Sequence, residues 1–190
     1  MMMTTLAYIV VGFGVLRLVI ATLNLLLQEK LPHPKSGESL PSLSVLIPAR
    51  NEAHNIESLL SDLTHVESES LLEIIVCDDA SEDSTVERVD TWMQRDSRIR
   101  LIYSSGPPSG WLGKNHACHL LSREARGEYL LFLDADVRLS PAFIERALSY
   151  ATTHRLGLLS LFPRQRMQTW AERVSVPNMH LILLSLLLLP

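Results

Sequence analysis

The sequence predicts an α/β fold: a mostly parallel sheet flanked by helices and preceded by an N-terminal transmembrane helix. Three observations predict it. Apolar runs of strand length alternate with segments of helical periodicity, which implies right-handed crossovers and a sheet covered on both faces. Polar clusters stand at the ends of those runs, where ligands bind in such sheets. The first 27 residues hold an apolar stretch long enough for a bilayer core.

That stretch, Leu6 to Leu27, is apolar apart from Arg17, Thr22 and Asn24. At 1.5 Å per residue it matches a hydrocarbon core of about 30 Å. It is too long for a signal peptide, and no basic flank precedes it. Lys30, His33 and Lys35 follow it, while the N-terminal flank has no Lys or Arg. The positive-inside rule then puts the rest of the chain on the cytoplasmic side of the plasma (inner) membrane. Arg17 is costly in lipid, so the alternative is an interfacial helix. Residues 31–41, with three Pro, one Gly and two Ser, read as a linker.

Leu43 to Ile47 is the first strand. Ile56, Leu59, Leu60 and Leu63 recur at helical spacing. Glu73 to Cys77 is the second strand. Ser84-Thr85-Val86-Glu87 has the form of a capping box, opening a helix with Val86, Val89 and Met93 on one face. Ile99 to Tyr103 is the third strand. A Gly/Pro loop, Ser104 to Gly113, leads to a helix from about Lys114 to Ala125. Tyr129 to Leu133 is uninterrupted apolar sequence and reads as a strand buried on both faces. Ser140-Pro141 should cap a helix that buries Phe143, Ile144, Ala147 and Leu148. Leu156 to Phe162 reads as a fifth strand. The domain spans 42–170, and 171–190 begins a membrane-associated segment.

Composition narrows the function. The chain has 190 residues, is 20% charged and has a net charge of -4. It lacks the basic excess that nucleic-acid binding requires. Cys77 and Cys118 read as buried thiols of a reducing compartment. His116, Cys118 and His119 lack a fourth ligand at zinc spacing.

The chemistry gathers at strand ends: Pro48-Ala49-Arg50-Asn51-Glu52, Asp78-Asp79, Gly113-Lys114 and Asp134-Ala135-Asp136. Two carboxylates two residues apart project to one side. They can hold a divalent cation that in turn binds a diphosphate. An EF-hand is excluded, because Arg138 stands at a ligand position and no Gly makes the turn. A Walker loop is excluded by Pro108 and Asn115. No Rossmann fingerprint follows a strand, and no Ser nucleophile elbow is present.

With these segments in this order, the chain resembles the family 2 glycosyltransferases of GT-A fold over roughly Leu43 to Phe162. The matching pieces are Val45 to Glu52, Val76 to Thr85 and Leu133 to Asp136. Gly110-Trp111-Leu112-Gly113-Lys114-Asn115-His116-Ala117-Cys118 resembles a membrane-associated branch that glycosylates carotenoid, hopanoid or sphingoid acceptors. The resemblance implies inverting transfer of a sugar from a nucleoside-diphosphate donor, UDP-linked, to a lipid-like acceptor. It implies that Pro48, Ala49, Arg50 and Glu52 frame the nucleotide pocket. Asp78 or Asp79 would accept from the base N–H, with the other capping the next turn. Lys114 would approach the diphosphate or sugar. Asp134 would meet the ribose or the metal, and Asp136 would ligate Mg²⁺ or Mn²⁺.

The chain departs from the family pattern after Asp136. No Q-x-x-R-W follows; Gln165 to Trp170 lacks that spacing. Glu172 is the sole carboxylate side chain beyond Glu145. The catalytic base is therefore expected outside this chain, which reads as an N-terminal fragment. If the chain is naturally complete, the alternative is a donor-binding but inactive module. A nucleotidyltransferase would need a Gly-rich loop after the first strand, and Pro48 to Asn51 is not one.

Overall fold

The computed structural model describes residues 2–27, 31–32, 39–161, 163–167 and 169–186. They fall into two compact units, one within residues 31–161 and one from residues 1–30 together with 162–190.

The larger unit is a four-stranded parallel sheet. Its strands are β1 (Leu43–Ala49), β2 (Leu71–Asp78), β3 (Ile99–Tyr103) and β4 (Tyr129–Phe132), in the order β3-β2-β1-β4. In the sequential register, Ala49 lies opposite Asp78, and Asp78 opposite Tyr103. The carboxyl ends of β1, β2 and β3 are thus level, so the residues that follow them share one rim.

Helices cover both faces, because the strand residues alternate. Val45, Ile47, Ile74 and Val76 are fully buried against α2 (Ile56–Thr64), α3 (Thr85–Met93) and α5 (Phe143–Thr153). Leu46, Ile75 and Cys77 point the other way, onto Ala117 and Leu121 of α4 (Gly113–Glu124). All four apolar positions expected for α2 are fully buried. Each such side chain contributes about 1.5–3 kcal/mol.

Several expectations need correction. Residues 156–161 form no strand: Gly157 interrupts them, Leu158 is 87% exposed, and no ladder partner lies alongside among the described residues. Phe162 lies outside the described residues. The β4 run is not buried on both faces. It is an edge strand paired with β1, and Leu130 and Phe132 on one face are 40% and 45% exposed. An unbroken apolar run does not say whether the second face is covered. The face of α3 is Thr85, Val89 and Trp92, while Met93 is exposed. Ser84 makes no capping bond to the helix. Asp83 does that work, accepting from the Thr85 N–H at 3.0 Å and from the Thr85 hydroxyl. The Ser140-Pro141 pair forms a turn, with Phe143 N–H bonded to the Ser140 carbonyl, and α5 starts two residues later than the cap predicts.

The smaller unit holds α1 (Met2–Leu26) and α6 (Trp170–Leu186). Within α1, Met3–Leu26 is long and apolar enough to cross a membrane. The Arg17 guanidinium donates two hydrogen bonds to Ser185 Oγ, at 2.9 and 2.6 Å. Asn24 Nδ2 donates to the Leu184 carbonyl at 2.6 Å. Arg17 and Asn24 of an apolar helix thus find partners on α6, while the Thr22 hydroxyl donates to the Leu18 carbonyl of its own helix. Of the 31–41 linker, residues 33–38 lie outside the described residues, as do residues 187–190 of the final apolar run.

Candidate donor-binding site

A cavity of about 360 Å³ opens beyond the carboxyl ends of the strands. Four separate segments line it: Pro48, Ala49, Arg50 and Glu52; Asp79; Gly113, Lys114 and Ala117; and Asp134, Ala135 and Asp136. Every residue proposed from the sequence is brought here except Asp78.

The first two segments are laced together. Asn51 adopts a left-handed backbone, φ 56°, which Asn tolerates better than most residues. Its N–H donates to Ser81 Oγ at 2.9 Å, and its side-chain oxygen accepts from the Glu82 N–H at 2.8 Å. Glu52 N–H donates to Thr85 Oγ1, and Ala53 N–H to Asp83 Oδ2. Ala80 is also left-handed, φ 58°. An alanine there is strained by roughly 1–2 kcal/mol, and such strain clusters at functional sites. Asp79 N–H donates to the Ala49 carbonyl at 2.9 Å, extending the ladder to the rim.

The two neighbouring aspartates diverge. Asp78 turns inward. Its Oδ2 accepts from the Ser81 N–H at 3.2 Å, and its Oδ1 is buried with no hydrogen bond among the described residues. It holds the turn. Asp79, 7% exposed, faces the cavity and presses on Gly113. A Cβ added at Gly113 would lie 2.5 Å from Asp79 Oδ2, so only glycine lets the start of α4 come this close.

Lys114 crosses the cavity mouth, with Nζ 2.6 Å from Asp134 Oδ1. That hydrogen bond raises the lysine pKa against a smaller opposing effect of burial, and the charges of Asp134 and Asp136 add to the rise. Lys114 is therefore a fixed cation. The turn after Asp134 is closed by Val137 N–H bonding back to the Asp134 carbonyl. Arg138, no metal ligand, grips Asp62 of α2 through two bonds of 2.6 and 2.7 Å. Leu139 N–H donates to the same carboxylate at 3.0 Å, which fixes the course of the chain leaving Asp136.

Among the described residues, no three His, Cys, Asp or Glu side chains cluster to enclose a metal. The residues still fit Mg²⁺ or Mn²⁺ held jointly with a ligand. Asp136 forms no hydrogen bond or ion pair among the described residues, Asp134 engages Lys114 through Oδ1, and Mg²⁺ sites commonly use one or two carboxylates with substrate phosphates. His116 and His119 pack on Trp111, with ring centroids 6.0 and 5.3 Å apart, and His116 Nδ1 is hydrogen-bonded to Ser104 Oγ at 3.3 Å.

Sequence reading missed the small residues. Ala117 and Ala135 line the cavity as its apolar floor. Ala117 follows Gly113 by four residues, one helical turn on the same face, and that spacing was a usable signal. Glu172 reads differently in structure: its carboxylate accepts from the Thr169 N–H at 3.0 Å while its own N–H donates to Thr169 Oγ1 at 3.2 Å. This is a capping box at the start of α6.

The glycosyl transferase family 2 model matches residues 44–185. The 4,4'-diaponeurosporenoate glycosyltransferase of Staphylococcus haemolyticus is 34% identical over 131 residues, 68% of this chain and 34% of that protein. The dolichol-phosphate mannosyltransferase of Mycosarcoma maydis is 34% identical over 112 residues, 56% of this chain and 37% of that protein. This chain thus spans about a third of the length of these relatives. Among solved structures, the mannosyltransferase PcManGT from Pyrobaculum calidifontis, in complex with GDP-Man and Mn²⁺, aligns with TM-score 0.60 at 24% identity, covering 77% of this chain and 42% of that one. TarS of S. aureus aligns with TM-score 0.52 at 23% identity, covering 60% and 33%. These likenesses agree with the GT-A arrangement of the sheet and its helices, and with the family match they show that the chain belongs to glycosyl transferase family 2.

Proposed function

We propose that the chain is the donor-binding part of a membrane-anchored glycosyltransferase that moves a sugar from a nucleoside-diphosphate sugar, UDP-linked, to a lipid-like acceptor hydroxyl with inversion. The observation that carries this reading is the convergence of four strand-end segments on one cavity that pairs the Lys114 cation with four carboxylates, those of Glu52, Asp79, Asp134 and Asp136. A diphosphate needs such a cation, and a ribosyl nucleotide needs acceptors beside it. Two relatives are named for diaponeurosporenoate and dolichol phosphate, which supports a lipid-like acceptor.

The roles follow from position. Pro48, Ala49, Arg50 and Glu52 frame the nucleotide. Asp79 accepts from the base N–H, since it faces the cavity while Asp78 is committed to its turn. Lys114 leaves Asp134 for the diphosphate, where its charge opposes that of the departing group. Asp134 and Asp136 would hold Mg²⁺ or Mn²⁺. When bound, the ion supplies charge stabilisation to the leaving diphosphate. The acceptor's proton needs a carboxylate base. Glu172, engaged in its capping box, is not assigned that role, and the base is sought outside the lining residues. The apolar α1 supports a membrane anchor, and Lys30, His33 and Lys35 after it support a domain on the cytoplasmic side.

The test is binding and turnover of labelled UDP- and GDP-sugars by this chain, with lipid extracts as acceptors, beside a form extended beyond Pro190. Donor binding with turnover at least about 10²-fold below the extended form is expected if positioned proton abstraction is missing. Failure to bind any nucleotide sugar would contradict the proposal. Equal turnover by both forms would return the base to this chain. An inactive donor-binding module is favoured if both forms bind and neither transfers.

A further inference from the structure

We propose that the loop from Tyr103 to Leu112 is a bilayer-docking surface, which seats the mouth of the donor cavity against the membrane. The inference rests on the membrane-anchored, lipid-acceptor reading above and assigns it a contact surface.

Residues 101–113 contain no charged side chain, in a chain that is 20% charged. Soluble proteins seldom leave such a stretch open to water with large apolar groups on it. Here Tyr103 is 63% exposed, Trp111 46% and Leu112 72%. Trp111 is not a loose side chain, because its ring packs on His116 and His119 of α4. Its remaining surface is presented outward on a fixed backing. Tyr and Trp favour the membrane–water interface, where an apolar body and a polar N–H or O–H are both accommodated. Two residues further on, Gly113 and Lys114 line the cavity. The charge-free loop therefore ends where the donor site begins.

The chain itself argues for the occupant. A helix long and apolar enough to span a membrane lies at Met3–Leu26. Residues 27–30 separate it in sequence from Leu31, where the sheet domain begins and whose carbonyl accepts from Arg146 of α5. A domain so close in sequence to a membrane helix is tied to the bilayer by its own chain. An acceptor that stays in the membrane must present its hydroxyl there, so a docked cavity mouth needs no extraction of the lipid.

The experiment places Trp111 relative to lipid. The full chain carrying Trp92→Phe and Trp170→Phe is reconstituted in nanodiscs of phosphatidylcholine, with and without brominated acyl chains, so that Trp111 alone reports. A chain carrying Trp111→Phe and Trp170→Phe serves as reference through Trp92. Brominated discs are expected to remove about half of the Trp111 emission, as for an interfacial tryptophan, and little of the Trp92 emission. Leu112→Glu, at an exposed position, should reverse much of that loss. Co-elution with the discs reports insertion of α1 separately. A chain that co-elutes with Trp111 unquenched overturns the docking surface and leaves the anchor and the transferase reading standing. Quenching by monomeric brominated lipid below its micelle threshold would overturn it in favour of a single-lipid pocket. Shielding that follows protein concentration instead of bromine would overturn it in favour of self-association.

Discussion

The two ends of the sheet carry buried carboxylates on the same strands and treat them in opposite ways. At the amino end, Glu73 of β2 is 6% exposed and fully engaged. It accepts from Ser44 Oγ at 2.8 Å, from the Arg126 N–H at 2.7 Å and from the Arg100 guanidinium at 2.9 Å. Burial pushes its pKa up, but the bonds from Ser44, Arg126 and Arg100 outweigh that and hold it low. Gly127 packs directly on the β1 backbone. At the carboxyl end, among the described residues, Asp78 Oδ1 has no hydrogen bond and Asp136 makes no hydrogen bond or ion pair, and Ala80 and Asn51 are left-handed. One end is closed and satisfied, whereas the other is open and under-satisfied. Stability and ligand binding are thus separable along one strand, since a polar group already saturated by its own chain has nothing left for a ligand.

The largest expected effect is at the closed end. A Cβ at Gly127 would sit 2.4 Å from Ser44 N and 2.7 Å from Leu43 C, both backbone atoms. Gly127→Ala should therefore cost about 3 kcal/mol or more through overpacking, read as a lowered denaturant midpoint. An unchanged midpoint would mean that the α4–β4 connection is not clamped as described. Glu73→Gln comes next, at about 2 kcal/mol, because it weakens charge-assisted bonds to a buried group. If donor affinity fell while stability held, the division between the two ends would fail.

The pH dependence has a definite sign. The carboxylates of Glu73, Asp83 and Asp96 are held below their ordinary values. For Glu73 the bonds overcome burial; for Asp96 the Arg98 hydrogen bond leads; for Asp83 the Thr85 hydroxyl leads. Groups with depressed folded-state pKa contribute stability above their unfolded pKa and lose it as pH falls through the folded value. Stability should thus decline below about pH 4.5, and Glu73→Gln should flatten that decline.

The smallest stability effects belong to the open end. Lys114 and Asp134 are 62% and 57% exposed, so Lys114→Met should change stability by no more than about 1 kcal/mol. Asp136→Asn should stay within about 0.5 kcal/mol. Both should weaken donor binding. A loss of fold in either would show that the open end is structural after all.

The site was more legible than the fold around it. Strand-end chemistry is written in short contiguous segments, and a parallel sheet brings such ends together whatever the details. Thus Pro48 to Glu52, Asp79, Lys114 and Asp134 to Asp136 could be placed on one rim from sequence. What failed depended on tertiary neighbours. The apolar run of β4 does not reveal that its outer face is uncovered, and residues 156–161 have strand propensity without a ladder. Ser84 has the right spacing for a cap, but it is the preceding Asp83 that accepts from the first amide of the helix, the Thr85 N–H. The Glu73 cluster joins Ser44, Arg100 and Arg126 from distant segments, so no local pattern announced it.

The most direct test of the open end as a diphosphate-metal site is calorimetry of UDP binding to this chain with and without Mn²⁺. The account predicts tighter binding with Mn²⁺, removal of that gain by Asp136→Asn with the denaturation midpoint unchanged, and weaker binding in both conditions for Asp79→Asn. Equal UDP affinity with and without Mn²⁺, untouched by either substitution, would contradict it.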